Sequence, residues 1–425
     1  MLRPLNTADH FTLMMDHEIR QSGLAGNFCA LVFELDSAID IAWLQMRVTS
    51  FISRFPEANV RLKQQGRRFF WKQHEGDVNA LFFHHRATDS SSALTVIEAI
   101  INRREAAESA LPVGFHLVEM ETGAYFMLRW FHPICDAKGA ELIMHHLLKD
   151  EVLSDGENPF NQLKSKWGLW KKIAMGIQAK RHINHLDRID SSLPKVEPVI
   201  ADQLKFQIVT LDRDDSKAIL LQARKEAGMT GTALYFIGCM MRALQRVGCD
   251  EKQGFCVPYA MNMRKRKALF PLLGNQVSFL FAQASLQQVA NRALLFSELR
   301  EQHKTTVRSG LDVALVPLME AGAWLPLHKY GRIIRKGPKG EERSSFWFSY
   351  TGESDPKVEE IADAKVNGMF QLSQVTSPPA LGLLVSQYDG CLTLSFNYIG
   401  SQIDQQWMEQ LIATVQSELT GEVAA

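Results

Sequence analysis

Two kinds of hydrophobic periodicity alternate along the sequence, and this alternation restricts the possible folds more than any other feature. Strand-like apolar runs occupy 27–35, 65–73, 80–84, 114–120, 124–131, 206–211, 254–258, 346–350, 380–388 and 391–398. Helical spacing of apolar residues occurs at 41–55, 90–104, about 139–148, 214–228, 232–247 and 404–419. Because both halves of the chain contain both patterns, the sequence favours an α/β or α+β fold over an all-α or all-β fold.

The length of the chain predicts two lobes. A single hydrophobic core rarely serves as many as 425 residues. The proline-containing stretch 191–199 (SSLPKVEPV) separates the two halves. We therefore predict an N-terminal lobe over 1–190, which ends in a basic linker helix at 162–188, and a C-terminal lobe over 191–425.

Charge and cysteine content exclude several classes of protein. With 47 Lys+Arg against 47 Asp+Glu, the chain lacks the global positive charge of a nucleic-acid-binding protein, so no nucleic-acid partner is predicted. Six scattered cysteines without a CxxC pair argue against a disulfide framework or a structural zinc site, and no metal is predicted. The N-terminus has no apolar run like that of a signal peptide, and proline and glycine interrupt the uncharged stretch 268–291. We expect a cytoplasmic protein.

The segment WFHPICDAKG at 130–139 has the arrangement most suited to catalysis. His132 and Asp136 lie between a predicted strand and a predicted helix, so the imidazole would be fixed at the end of a strand as a candidate general base. The spacing alone carries little information, because about one HxxxD is expected by chance at ordinary residue frequencies. The sequence contains two others, His85/Asp89 and His146/Asp150.

The order of seven sequence blocks selects His132 over the other two histidines. The blocks are 5–9 (LNTAD), 53–62 (SRFPEANVRL), 111–120 (LPVGFHLVEM), 127–148 (MLRWFHPICDAKGAELIMHHLL), 228–244 (GMTGTALYFIGCMMRAL), 257–264 (VPYAMNMR) and 274–278 (GNQVS). This series resembles the HHxxxDG acyltransferase superfamily, which includes chloramphenicol acetyltransferase, condensation domains and the wax ester synthase/diacylglycerol acyltransferases. Among these proteins, the last group has the most similar sequence blocks. The resemblance implies two chloramphenicol-acetyltransferase-like lobes, each a mixed β-sheet flanked by helices, that form a V with a tunnel at their interface.

The resemblance also implies roles for three catalytic residues. His132 would take the proton from a hydroxyl or amine acceptor as that group attacks a thioester carbonyl. Asp136 would pair with Arg264 and shape the loop rather than transfer protons. Arg264 is also the first of four consecutive basic residues, and such a run is often a solvated face. Cys135, next to this motif, is interpreted as a buried apolar residue rather than a nucleophile.

Further residues and ligands follow from the same resemblance. Gly139, Asn275 and Ser349 are predicted to lie at the substrate, with Ser349 as a candidate hydrogen-bond donor to the oxyanion. Asn275 follows a glycine, so an ordinary turn is the alternative interpretation. No permanently bound cofactor is implied. Acyl-CoA or an acyl-phosphopantetheine on a carrier protein would be the co-substrate, and the acceptor would be a small molecule or a lipid.

Two residues depart from the family pattern. Phe131 stands where most members have the first His, and Ala137 stands where they have Gly. Gly at the second position permits backbone conformations that a Cβ disfavours, and Gly139 is a candidate to supply that freedom instead. Three hypotheses remain open: an acyl-CoA-dependent acyltransferase, a condensation-type enzyme acting on a carrier protein in trans, and a non-catalytic binding protein that kept the fold.

The basic segment has three interpretations. It combines Lys164, Lys166, Lys171, Lys172, Lys180 and Arg181 with an apolar stripe of Trp167, Trp170, Ala174 and Ile177. The stripe could dock on a lobe as the buried face of an ordinary linker helix. Alternatively, the segment could lie on a membrane surface, peripheral to the inner face of the membrane. It could also bind the phosphates of CoA or an acidic carrier protein.

Overall fold

The structure is a computed structural model that describes residues 2–149, 158–160, 167–265 and 267–421. The helices are α1 (Thr7–Gln21), α2 (Ile41–Arg54), α3 (Ser90–Ile101), α4 (Ala137–Leu148), α5 (Leu169–Leu186), α6 (Arg213–Ala227), α7 (Thr232–Val247), α8 (Leu286–Ala290), α9 (Arg292–Arg308), α10 (Leu311–Gly322), α11 (Leu327–Arg335) and α12 (Gln405–Thr420). The strands are β1 (Leu2–Pro4), β2 (Phe28–Leu35), β3 (Val60–Gln65), β4 (Arg68–Gln73), β5 (Phe82–Arg86), β6 (Val113–Glu119), β7 (Ala124–Phe131), β8 (Leu204–Thr210), β9 (Gly254–Asn262), β10 (Val277–Ser285), β11 (Trp347–Glu353), β12 (Glu360–Ile361), β13 (Ala364–Ser373), β14 (Leu381–Tyr388) and β15 (Cys391–Ile399).

Two six-stranded sheets organise the chain. The first has the strand order β12-β13-β2-β7-β6-β5, and the second has the order β10-β9-β11-β14-β15-β8. Most neighbours are antiparallel, but β5 pairs with β6 in parallel, and β11 is parallel to both of its neighbours, so both sheets are mixed. A small sheet of β1, β4 and β3 accompanies them. The predicted α/β class, with two mixed sheets flanked by helices, is confirmed.

One strand pair crosses between the two halves of the sequence. Strands β12 and β13 come from the C-terminal half, yet β13 pairs with β2 of the first sheet, with Phe370 opposite Val32. Strand β2 is buried along nearly its whole length, and pairing with β13 satisfies backbone groups that would otherwise form an open edge. The division of the chain at Ser191 remains a prediction. Strands β12 and β13 follow that position in the sequence but belong to the first sheet, so the division does not separate the two sheets completely.

Helix α1 lies where the two halves meet. Its N-terminus has a capping box in which Asn6 and Asp9 each accept a hydrogen bond from the other's backbone N–H, so the helix begins at Thr7. Phe11, Met14 and Met15 of this helix pack with Met319 and Tyr330 from the C-terminal half. The sequence patterns did not predict α1, because its buried residues include many polar ones that hide the apolar periodicity.

Helix α5 does not agree with the first of the three interpretations, in which the stripe with Trp167 and Trp170 docks on a lobe. Lys164 and Lys166 lie outside the described residues. The helix instead packs through Ala179 and Ile183 against helix α10, while Trp170 is 83% exposed. The sequence contains two apolar stripes on this helix, and periodicity alone does not determine which one packs inward. In the described part of the chain, no helix has the length and apolar character needed to cross a membrane.

Candidate active site

His132 directly follows the last residue of strand β7. Its backbone N–H donates to the carbonyl of Asn27, 2.9 Å away, just before strand β2 begins. The Nδ1 atom is buried and makes no regular hydrogen bond with the described residues. Burial lowers the pKa of His132 below its ordinary value, and its own backbone carbonyl and the Asp136 carboxylate oppose this shift only in part. The ring is therefore neutral near pH 7, as a general base requires.

A cavity of about 150 Å³ lies beside His132 and is lined by both sheets. From the first sheet it receives Cys29, Trp130 and Gln371. From the second it receives Phe279, Trp347 and Ser349, and helix α1 adds Phe11, Thr12 and Met15. Apolar side chains predominate in this lining, and a few polar groups are placed among them, as in many sites for small molecules. His132 therefore lies at a cavity between the two sheets.

Asp136 and Arg264 form the predicted ion pair. Nη1 of Arg264 lies 2.8 Å from each carboxylate oxygen of Asp136, and the two side chains are only 2% and 6% exposed. Asp136 also caps helix α4, because it accepts the N–H of Gly139, and it accepts the N–H of Gln276. Burial would raise the pKa of Asp136, but Arg264 and these hydrogen bonds outweigh burial and hold the pKa below its ordinary value. The carboxylate is ionised and faces the loop rather than the cavity.

Asn275 holds the backbone under His132. Its side-chain amide donates to the carbonyls of His132 and Pro133 at 3.0 and 3.3 Å, and to Oδ1 of Asp9 at 2.9 Å. The backbone N–H of Asn275 donates to the same Asp9 oxygen at 2.7 Å. Asn275 is fully buried and is not among the residues that line the cavity, and its predicted place at the substrate remains a prediction. Its contacts hold the backbone of His132.

Asp9 belongs to this site, although the sequence analysis did not single it out. It is fully buried, and burial raises its pKa to about 7 against the opposing effect of the N–H donors of Asn275 and Asn6. The only sequence signal was its position in LNTAD, the first of the seven blocks. Asp9 and Asn275 are 266 positions apart, so no local pattern could pair them.

The remaining predicted residues differ in their placement. Ser349, on strand β11, lines the cavity with His132. Gly139 lies outside the cavity lining, because it is buried against the loop that carries Arg264. A Cβ there would lie 2.5 Å from the carbonyl oxygen of Leu272. Its predicted substrate contact remains a prediction, and its small size allows the close approach of helix α4 to that loop.

The two departures from the family pattern have structural explanations. Phe131 is 1% exposed and packs against Phe28, with ring centroids 5.2 Å apart, so its position belongs to the core. Ala137 is the first residue of helix α4 and is not among the residues with a left-handed backbone, so its Cβ is compatible with the turn. Gly139 therefore does not need to supply backbone freedom. Ala137 also lines the cavity, which limits the size of the side chain at this position.

The other two HxxxD segments lie away from the cavity. His85 forms a hydrogen bond with His116 at 3.1 Å, and Asp89 caps helix α3. His146 packs against Phe270, with ring centroids 4.7 Å apart, and Asp150 lies outside the described residues. Cys135 is fully buried, and burial holds the pKa of its thiol well above the ordinary value, so it is not a nucleophile. No group of three metal-binding side chains occurs in the described ranges.

Comparison with solved structures supports this architecture, whereas comparisons at the sequence level find no match. Neither protein-family models nor curated protein sequences match this chain. Among solved structures, trichothecene 15-O-acetyltransferase from Fusarium sporotrichioides superposes with a TM-score of 0.74 at 11% identity, over 99% of this chain and 95% of the other. A mutant starter condensation domain of rhizomide synthetase in complex with C8-CoA gives a TM-score of 0.66 at 11% identity, over 99% and 94% of the two chains. Polyketide synthase associated protein 5 from Mycobacterium tuberculosis also gives 0.66 at 11% identity, over 99% of both chains. The chain therefore shares its fold with this acetyltransferase and with condensation domains, as the order of its sequence blocks predicted.

Proposed function

We propose that this protein transfers an acyl group from a CoA or phosphopantetheine thioester to a hydroxyl or amine acceptor, with His132 as the general base. One observation carries the proposal: a neutral, half-buried histidine, whose Nδ1 atom is fully buried, lines an apolar cavity between the two sheets. The names of the structural neighbours support the same reaction type, since they include an acetyltransferase and condensation domains. At 11–12% identity these neighbours support the fold, and the site residues carry the chemistry.

The proposed reaction needs a base and an acid in turn. Because Nδ1 of His132 is buried, Nε2 is the ring atom available to the acceptor. Nε2 takes the proton from the acceptor O–H or N–H as a lone pair of that acceptor oxygen or nitrogen attacks the thioester carbonyl carbon. The tetrahedral intermediate then collapses, the carbon–sulfur bond breaks, and the imidazolium returns the proton to the leaving thiolate. General-base assistance of this kind is worth about 10²–10⁴-fold in rate.

The residues around His132 support this cycle without transferring protons. Asn275 fixes the His132 carbonyl, and the Asn27 carbonyl accepts the His132 N–H, so the backbone is held on both sides. Asp136, paired with Arg264, holds the loop that follows. The negative charge of Asp136 also favours the imidazolium formed during the reaction. Ser349 lines the same cavity and is the candidate hydrogen-bond donor to the oxyanion.

Acyl-CoA is the proposed donor, with no permanently bound cofactor. A structural neighbour, the starter condensation domain of rhizomide synthetase, was solved in complex with C8-CoA. The proposal is tested by measuring free-thiol release from acyl-CoAs of increasing chain length, with an alcohol and an amine acceptor, in the wild type and in His132→Ala. Release by the wild type that is lost in the variant is expected. Equal release by both proteins would refute the role of His132.

A condensation-type enzyme acting in trans is the second candidate. Three neighbours favour it: condensation domains from a polyketide synthase and from rhizomide synthetase, and a polyketide synthase associated protein. It predicts that acyl groups on a carrier protein react while the same acyl-CoAs do not. A non-catalytic binding protein is the remaining alternative, which predicts tight acyl binding without thiol release from either donor. Its sequence motivation was Phe131 and Ala137, and neither residue obstructs His132 in the structure.

A further inference from the structure

Helix α5 is apolar on two faces, and only one face packs against the protein. Ala179, Ile183 and Leu186 are at most 8% exposed and lie on the inner face. On the outer face, Leu169, Trp170, Ile173 and Ile177 are 69%, 83%, 45% and 50% exposed. Trp170, Ile173 and Ile177 follow the spacing that places residues on one side of a helix. Trp324, just after helix α10, is 66% exposed and extends this surface. We call these five exposed residues the α5 patch.

The charges on helix α5 are all positive. The helix contains Lys171, Lys172, Lys180 and Arg181 and no acidic residue. Lys172 pairs with Glu320 of helix α10 at 2.8 Å. Another cation lies against the patch, because the guanidinium of Arg68 stacks over the Trp324 ring at 4.4 Å. Large apolar side chains bordered by lysine and arginine are the composition of helices that lie in the interface of an anionic membrane.

A groove in the α5 patch leads towards the active-site cavity. The groove has a volume of about 430 Å³ and is lined by Ile173, Ile177, Leu318 and Trp324, among others. Leu318 also lines a small inner cavity, which is almost entirely apolar. Phe11, Phe279 and Trp347 line both that inner cavity and the cavity of His132. The three spaces are thus neighbours, and the residues they share in their linings are apolar.

The charge of the patch favours a lipid surface over a second copy of the chain. A symmetric dimer through this face would bring the same basic residues of two copies together, and Glu320, the acidic residue in the groove, already pairs with Lys172 of its own copy, so the contact is unfavourable. A membrane of anionic phospholipid complements both features. The ring of Trp170 and the aliphatic side chains can enter the headgroup region, and the lysine stems can extend to the phosphates.

We propose that the α5 patch binds the surface of an anionic phospholipid membrane, and that the groove within it is where a lipid acyl chain approaches the His132 cavity. The approach of the acyl chain rests on the proposed acyltransferase function. Membrane binding itself does not, because it depends only on the outer face of helix α5 and on Trp324.

The test is flotation of the protein with lipid vesicles. One vesicle contains equal amounts of phosphatidylcholine and phosphatidylglycerol, and the other contains phosphatidylcholine alone. The wild type is expected to float with the anionic vesicles, to float much less with the neutral ones, and to be released by salt. The double variant Trp170→Ser/Ile173→Ser and the charge variant Lys171→Glu/Lys180→Glu/Arg181→Glu should each lower the bound fraction about tenfold or more.

Matched controls separate this effect from a general loss of surface hydrophobicity. Ile200→Ser and Met229→Ser each remove a side chain that is 86% exposed and lies on neither α5 nor α10, and both should float like the wild type. Equal flotation of patch variants and controls would overturn the proposal, as would failure of the wild type to float with anionic vesicles. Patch-dependent dimerisation, or patch-dependent binding of an acidic carrier protein in place of flotation, would also overturn it.

An activity measurement separates this proposal from the acyltransferase function. The patch variants should release thiol from a water-soluble short-chain acyl-CoA as fast as the wild type, and should lose activity only on substrates held in vesicles. If the wild type releases no thiol from any donor, the proposed function fails while the flotation result still decides membrane binding. Equal activity of wild type and patch variants on vesicle-held substrates would overturn the proposed approach of the acyl chain.

Discussion

Replacing Arg264 by Met should destabilise the protein strongly, because it leaves a buried charge without its partner. Asp136 is 4% exposed, and its remaining donors would be the N–H groups of Gly139 and Gln276. Removing one member of a buried ion pair typically lowers the free energy of unfolding by about 3–5 kcal/mol. The exposed pair of Arg213 and Asp389 offers a matched control, since its side chains are 66% and 41% exposed. Arg213→Met should leave the midpoint of urea unfolding almost unchanged, because solvent screens an exposed pair.

The loss of stability in Arg264→Met should depend on pH. In the wild type, Asp136 has a pKa below its ordinary value of 3.8, so its contribution to stability is present above that value and is lost as the pH falls through the folded-state pKa. Without Arg264, burial dominates and raises the pKa of Asp136 above 3.8. The native variant then binds more protons than its unfolded chain, and its stability falls as the pH rises. The difference between wild type and variant should therefore be larger at neutral than at mildly acidic pH.

Urea unfolding, followed by circular dichroism and tryptophan fluorescence, measures this prediction. Asp136→Asn keeps a side chain that can cap helix α4. The double variant Asp136→Asn/Arg264→Met should therefore be more stable than Arg264→Met alone, because no unpaired carboxylate remains. An Arg264→Met protein within about 1 kcal/mol of the wild type would refute the reasoning, because that is the range of exposed pairs. A difference that does not change with pH would refute it as well.

Three further predictions follow from the site. The acid limb of the pH profile of kcat/KM should have an apparent pKa below 6.5, because burial lowers the pKa of His132, and a limb at or above that value would contradict the assigned environment. Asn275→Ala should lower kcat on the order of 10²-fold with a smaller change in KM, because the substitution misplaces His132. An increase in KM alone in steady-state kinetics would contradict this positioning role. Gly139→Ala should destabilise the protein by about 1–3 kcal/mol in urea unfolding, because the new Cβ would lie 2.5 Å from the Leu272 carbonyl oxygen. Gly176→Ala on helix α5 is the control and should not destabilise the protein, because no atom lies within 4 Å of its Cβ position.

The sequence pointed to the residues of the candidate site more directly than to the residues that support them. His132, Asp136 and Arg264 were identified because their blocks occur in a recognisable order, and the structure brings Asp136 and Arg264 into contact. Asp9 was missed because its partner Asn275 lies 266 positions away, and only folding determines such a contact. Gly139 and Asn275 were predicted to lie at the substrate, and that remains a prediction. The structure shows their packing against the Leu272 carbonyl and Asp9, which a sequence block does not reveal.

Tertiary contacts also decided the features of the fold that the sequence did not predict. Strands β7 and β15 follow from local β-rich runs, and helix α7 has the predicted bounds, Thr232–Val247. Strand β13 joins the first sheet because β2 presents a buried edge there, and this choice is made by packing rather than by periodicity. Trp170 illustrates the same limit on helix α5, where the sequence analysis considered burial of the stripe with Trp170, whereas Ala179 and Ile183 pack inward.

The turnover number of His132→Ala at saturating donor and acceptor tests the central claim most directly. The account predicts a fall of about 10²–10⁴-fold in thiol release. Circular dichroism should be unchanged, because the ion pair of Arg264 with Asp136 and the hydrogen bonds of Asn275 to Asp9 remain in place. A turnover number equal to that of the wild type, in a variant that folds normally, would contradict the assignment of His132 as the general base.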